Sequence, residues 1–94
     1  MRDKVAIVTG GARGIGKACA LALAEEGAHV AVADVISMED VKAEIKSLGR
    51  HAIGIKTNVS RKEEVNHMVA RVIEKFRRVD ILVNNAGTCQ RVPL

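Results

Sequence analysis

No tyrosine and no tryptophan occur in the 94 residues, and Phe76 is the single aromatic residue by the usual Phe/Trp/Tyr count. The first absence removes every mechanism in which a phenol of this chain acts as acid or base. The scarcity of aromatics also argues against a nucleic-acid surface, where basic groups are interleaved with stacking platforms. Lys+Arg minus Asp+Glu, 15 − 11, leaves a net charge of +4. Yet the densest basic stretch, Arg61 to Arg78, also carries Glu63, Glu64 and Glu74. Cysteine occurs only as Cys19 and Cys89, with no CxxC and no Cys/His pairing at zinc spacing, so no metal site is expected. His29, His51 and His67 are scattered and read as isolated surface residues. Long apolar runs are missing too. Val5–Val8 is too short for a signal-peptide core, and no later run approaches a membrane span. These absences predict a soluble chain in a reducing compartment, the cytoplasm, with neither membrane nor nucleic acid as partner.

What is present is a globular balance, 48% apolar and 28% charged, in a length of at most one domain. Four short apolar runs alternate with three helical patterns. Lys4–Thr9 reads as a strand apolar on both faces, as buried parallel strands are. Gly14–Glu26, rich in Ala and Leu, reads as a helix closed by Gly27. His29–Asp34 is a second strand. A helix capped by Ser37 follows, with Val41, Ile45 and Leu48 at helical spacing and Gly49 as its stop. His51–Thr57 is a third strand. Ser60 and Glu63 have the spacing of a capping box. Behind them Val65, Met68, Val69, Val72, Ile73 and Phe76 line one helix face as core. Val79–Asn84 is the fourth strand, and beyond Gly87 the pattern dissolves into what reads as a loop. This β-α-β-α-β-α-β series predicts the first half of a doubly wound parallel sheet with right-handed crossovers. It leaves Ile81–Val83 as a long apolar edge, a candidate for self-association or homo-oligomer formation.

The chemistry concentrates where the first strand meets the first helix, Thr9-Gly10-Gly11-Ala12-Arg13-Gly14-Ile15-Gly16. A glycine-rich turn there lets backbone N–H groups reach a phosphate, and the helix N-terminus adds positive potential. Gly10 would make the tight turn, and Gly14 and Gly16 would omit Cβ atoms where pyrophosphate and the opposing strand come close. Asp34 ends the second strand 18 residues after Gly16. A carboxylate there accepts hydrogen bonds from the adenosine ribose and repels a ribose 2′-phosphate, favouring NAD over NADP. Arg13 pulls the other way, because a guanidinium can pair with that phosphate.

Thr9–Gly16 (TGGARGIG), Asp34, Asn58-Val59 and Asn84-Asn85-Ala86-Gly87 (NNAG) occur in that order. Together they resemble the N-terminal half of a short-chain dehydrogenase/reductase, over nearly the whole chain from Lys4 to Gly87. The resemblance implies a Rossmann-type α/β fold, incomplete at about four strands and three helices. Residues 1–94 would then be the N-terminal part of one NAD(P)-binding domain, without its catalytic C-terminal half. It places Gly10, Arg13, Ile15 and Gly16 around the pyrophosphate and adenosine ribose, and Asp34 on the ribose hydroxyls. It sets Asn58 and Val59 against the adenine, and Asn85, Ala86 and Gly87 along the cofactor cleft. Most members carry Asp where Asn58 stands, though the Asn carbonyl oxygen can also accept from an adenine amino group. Asn84 would tie neighbouring strands together.

Catalysis in the resembling family rests on a Ser–Tyr–Lys arrangement downstream of NNAG, and this chain runs only seven residues past Gly87. No residue here takes the tyrosine's role. Cys89 lacks a histidine partner in an obvious position and is not read as a nucleophile. The expectation is the NAD-binding portion of an oxidoreductase. Its full-length form would pass a hydride between nicotinamide and a carbonyl or secondary alcohol, with 3-oxoacyl reduction one example. The alternative is a non-catalytic nucleotide-binding or interaction fragment.

Overall fold

The structure is a computed structural model that describes residues 2–84 and 91–93. Five strands and three helices follow one another as β1 (Val5–Thr9), α1 (Gly14–Glu25), β2 (His29–Asp34), α2 (Glu39–Ser47), β3 (Ala52–Lys56), α3 (Lys62–Phe76), β4 (Ile81–Asn84) and β5 (Arg91–Pro93). The sheet order is β3-β2-β1-β4-β5. β1 pairs in parallel with β2 and β4, and β2 in parallel with β3. The order reverses at β1, so the crevice above the carboxyl ends of β1, β2 and β4 is where a doubly wound sheet holds ligands.

Alternation along the strands divides the core into two layers. Ala6, Val8, Val30, Val32, Ile81 and Val83 face α1 and α2, meeting Ala20, Leu23, Val41 and Ile45. Val5, Ile7, Ala31, Ala33 and Ile55 face α3, meeting Met68 and Val72. Alanines at the contact let helix and sheet backbones approach closely. α1 ends as the sequence predicts, with Gly27 at φ +100°, a left-handed conformation that costs glycine little.

Four local expectations are corrected. Arg91–Pro93 pairs antiparallel with β4, Leu82 opposite Val92, so the edge predicted to lie open is covered over Ile81–Val83. The cause is the row of backbone donors and acceptors along β4. A returning segment satisfies them without a crossover, and proline is tolerated on the new edge. Ser37 is not the cap of α2: Met38 holds that position, and the Ser37 hydroxyl lies 3.5 Å from the Glu39 N–H. The capping box expected at α3 does not form: Arg61 is the N-cap without a side-chain cap hydrogen bond, and Glu64, not Glu63, reaches back past it to accept the Asn58 N–H at 2.8 Å. Finally, Val69, Ile73 and Leu48 are exposed, because α3 is the sole helix described on its face and Leu48 already lies past the last turn of α2.

Candidate functional site

Each predicted cofactor residue that the structure describes sits at or just after the carboxyl end of a parallel strand, at the N-cap of α1 or in α1. β1 delivers Thr9 and Gly10, β2 delivers Asp34, and the chain after β3 delivers Asn58 and Val59. They line one cavity of about 240 Å³. A more apolar hollow of about 190 Å³ shares Thr9 and Val59 with it and is floored by Met68 and Leu82. A larger groove, about 360 Å³, lies between the C-terminal end of α1 and Arg50 and contains none of the predicted site residues.

The turn between β1 and α1 is fixed from three directions. Gly10, at φ +64°, donates its N–H to the Ala33 carbonyl at 2.7 Å. Gly11 packs flat on the strands: a Cβ there would stand 2.7 Å from Val32 Cγ1 and 3.2 Å from the Val8 carbonyl oxygen. Ala12 donates its N–H to Asp34 Oδ2 at 3.0 Å. Gly14, at φ +61°, differs from Gly11, because a Cβ there would meet nothing within 4 Å. The side of Gly14 on which a side chain would stand is therefore open. Arg13 at the N-cap makes no side-chain cap hydrogen bond, and no acidic residue stands in the first turn. A helix start of this kind presents its N–H groups and its positive end to an anion. Arg13 and Ile15 are exposed at this entrance, and Gly16 is buried within α1.

Asp34 and Asn58 face the same cavity differently. Asp34 Oδ1 accepts the Val35 N–H at 2.7 Å, so both carboxylate oxygens are oriented. Asn58 Oδ1 accepts the Ser60 N–H at 3.0 Å and the Ser60 hydroxyl at 2.6 Å, shaping the loop into α3. Asn84 supplies Oδ1 within 3.2 Å of the Thr9 hydroxyl, which also lies 3.3 Å from the Val83 carbonyl oxygen, so the two central strands are tied at their carboxyl ends. Asn85, Ala86, Gly87 and Cys89 lie outside the described residues.

Two residues were not singled out from the sequence. Gly11 was hidden beside Gly10, although the doubled glycine marked it as a close approach. Asp80 gives no motif signal. Its Oδ2 accepts the Val5 N–H at 2.8 Å, its own N–H donates to the Val5 carbonyl at 2.8 Å, and Arg78 grips its carboxylate through two nitrogens. The Arg78 hydrogen bonds, aided by the Val5 N–H, hold the Asp80 carboxyl below its ordinary value, against some desolvation.

The histidines are also corrected: His29 and His51 are neighbours, ring centroids 4.9 Å apart, and His29 stacks with Phe76 at 5.9 Å. The pairing of β2 with β3 brings them together at the amino ends of these strands, away from the cavity. Among the described residues no cluster of His, Cys, Asp or Glu could hold a metal ion, and no helix is long and apolar enough to cross a membrane.

Known proteins resemble this chain in sequence and in fold. The chain is 47% identical over 88 residues to a 3-oxoacyl-[acyl-carrier-protein] reductase of Staphylococcus epidermidis, covering 90% of this chain and 36% of that protein. It is 44% identical over 96 residues to a 2-dehydro-3-deoxy-D-gluconate 5-dehydrogenase of Pseudoalteromonas atlantica, covering 99% of this chain and 38% of the relative. Among solved structures it superimposes on carveol dehydrogenase from Mycobacterium avium in complex with NAD, with a TM-score of 0.88 and 28% identity. That match covers 94% of this chain and 37% of the other. It also superimposes on L-sorbose reductase from Gluconobacter frateurii, complexed with NADPH and L-sorbose, with a TM-score of 0.87 and 34% identity, covering 94% of this chain and 35% of the reductase. The chain thus spans little more than a third of the length of these relatives. The glycine turn at the switch of the sheet, the carboxylate ending β2 and a match to the short chain dehydrogenase family over residues 4–94 agree, and the chain belongs to that family.

Proposed function

We propose that this chain is the NAD-binding portion of a short chain dehydrogenase whose full-length form moves a hydride between nicotinamide and a carbonyl or secondary alcohol. The observation that carries the reading is the cavity joining Gly10, Asp34, Asn58 and Val59 at the carboxyl ends of the parallel strands, with the turn from Gly10 to Gly14 leading from it into α1. Pyrophosphate would occupy that start, held by the N–H groups of α1. Asp34 would accept the adenosine ribose hydroxyls, and its charge beside the 2′ position favours NAD over NADP. Adenine would lie along Val59, which is exposed and apolar. Because Ser60 occupies Asn58 Oδ1, the Asn58 amide nitrogen is the group offered to the base. Asn85, Ala86 and Gly87 would line the nicotinamide side of the cleft. When bound, the cofactor supplies the hydride chemistry.

Residues 1–94 form the N-terminal part of a single such domain in this reading, and no residue of the chain acts as acid or base. Substrate binding, subunit association and a cytoplasmic setting belong to the full-length enzyme. A 3-oxoacyl thioester is one substrate class consistent with the relatives.

Calorimetric titration with NAD and NADP tests the proposal. NAD binding tighter than NADP, with no alcohol oxidation by the chain alone, is the expected result. Failure to bind NAD, NADP and ADP alike would overturn it.

A further inference from the structure

We infer that Asp34 is a positioning residue for the phosphate-binding turn as well as a ribose acceptor, so that one carboxylate sets both cofactor choice and the shape of the cradle. The ligand half of this inference rests on the proposed function; the structural half does not. The turn runs between two glycines in left-handed conformations, Gly10 at φ +64° and Gly14 at φ +61°, and such residues leave the peptides between them easy to reorient. Steric contact with Val32 fixes Gly11, and the Ala33 carbonyl fixes Gly10. The next peptide, whose N–H belongs to Ala12, is held by Asp34 Oδ2 at 3.0 Å. Only the Ala12–Arg13 peptide separates it from the N-cap residue Arg13.

Asp34 is well placed to act as an anchor. Its N-terminal neighbour Ala33 is buried in β2, and the carbonyl of Asp34 itself accepts the Thr57 N–H at 2.9 Å. Its second oxygen is turned by the Val35 N–H at 2.7 Å. A carboxylate offers about four lone-pair directions. Ala12 and Val35 use two, and two remain for the ribose hydroxyls. Ribose recognition and turn support are compatible in one rotamer. A ribose 2′-phosphate is not, because the carboxylate must swing away from it and release the Ala12 N–H. Discrimination against NADP then includes a loosened cradle in addition to charge repulsion.

The test compares Asp34→Asn with Asp34→Ala. Both remove the charge, but only the asparagine keeps an oxygen for Ala12; the exposed Val35 N–H can turn to water. In the unliganded chain, hydrogen exchange at the Ala12 amide should quicken at least fivefold in Asp34→Ala and stay near the parent rate in Asp34→Asn. The second readout is binding of ADP and of 2′,3′-dideoxy-ADP, which has no ribose hydroxyls for Asp34 to hold. Dideoxy-ADP should bind about fivefold more weakly to Asp34→Ala than to Asp34→Asn, the scale of one lost hydrogen bond. Equal Ala12 exchange in the two variants, or equal dideoxy-ADP affinity, would overturn the positioning role. If the parent chain binds neither nucleotide, the nucleotide-site reading fails, and Ala12 exchange alone decides whether Asp34 supports the turn.

Discussion

Gly11 lies so close to Val32 that a methyl group on it would come within 2.7 Å of Val32 Cγ1, whereas the same methyl on Gly14, three residues later, would touch nothing within 4 Å. The two glycines therefore do different work. Gly11 lets the turn lie on the sheet, and Gly14 keeps the helix start empty. Valine is stiff at χ1 and the Val8 carbonyl behind it is backbone, so neither neighbour yields readily. Gly11→Ala should cost about 2 kcal/mol of stability by overpacking, read as a lowered Tm.

Gly14→Val should keep the fold at a cost of about 2 kcal/mol, because a β-branched side chain is strained in the left-handed region. It should abolish dinucleotide binding by placing a branched side chain where the pyrophosphate would lie. Calorimetry and thermal melting on the same variant separate the two effects. Retained NAD affinity would remove the cradle from this turn.

Asp80 clasps the start of β4 to the start of β1. Removing its carboxylate leaves the Val5 N–H without its 2.8 Å acceptor and releases Arg78. Asp80→Ala should lower stability by about 1 kcal/mol, because the site is partly exposed and the ion pair itself contributes little. The folded-state pKa of Asp80 is depressed from 3.8, so its contribution is full above that value and disappears as the pH falls through the lower folded value. Acid titration followed by circular dichroism should show the parent chain losing its advantage over Asp80→Ala only below about pH 4.

In the proposed site Asp34 and Arg13 would oppose each other at the ribose, and cofactor choice would turn on the pair. Asp34→Ala should lower NAD affinity relative to NADP, and Arg13→Ala should weaken NADP more than NAD. Competition between the two cofactors in each variant measures this directly. Unchanged selectivity in Asp34→Ala would take that residue out of the ribose site.

The elements were legible because their signals are strong and local. Val5–Thr9 and His29–Asp34 are apolar runs closed by polar residues, and Gly27 marks the end of α1. The helix starts were not, since capping depends on backbone geometry that types and spacing leave open: Ser60 turns back to Asn58 instead of forward into α3. β5 escaped because Arg-Val-Pro carries no strand signal of its own and pairs only when β4 offers its edge. At the candidate site Gly10, Asp34 and Asn58, all marked by the motif, line one cavity, because each follows or ends a parallel strand and so lies at the same edge of the sheet. The anchoring of Ala12 by Asp34 needed coordinates. A 22-residue separation says nothing about which backbone N–H a carboxylate will find.

His29 gives the fold a pH dependence of its own. Its Nδ1 accepts the His51 N–H at 3.0 Å, so protonation there would replace an acceptor by a second donor. Desolvation pushes its pKa below 6.5, His51 and Arg50 push the same way, and Asp3, 3.4 Å from Nε2, opposes them. The folded chain thus takes up this proton less readily than the unfolded one. The stabilising contribution is complete above about pH 6.5 and is lost as the pH falls from there through the folded-state value. Thermal melting at pH 7.5, 6.5 and 5.5 should show Tm falling with pH, and His29→Gln, which takes up no proton in this range, should flatten the decline. A slope identical in the two proteins would assign the pH dependence elsewhere, and a Tm that rises on acidification would reverse the sign argued for His29.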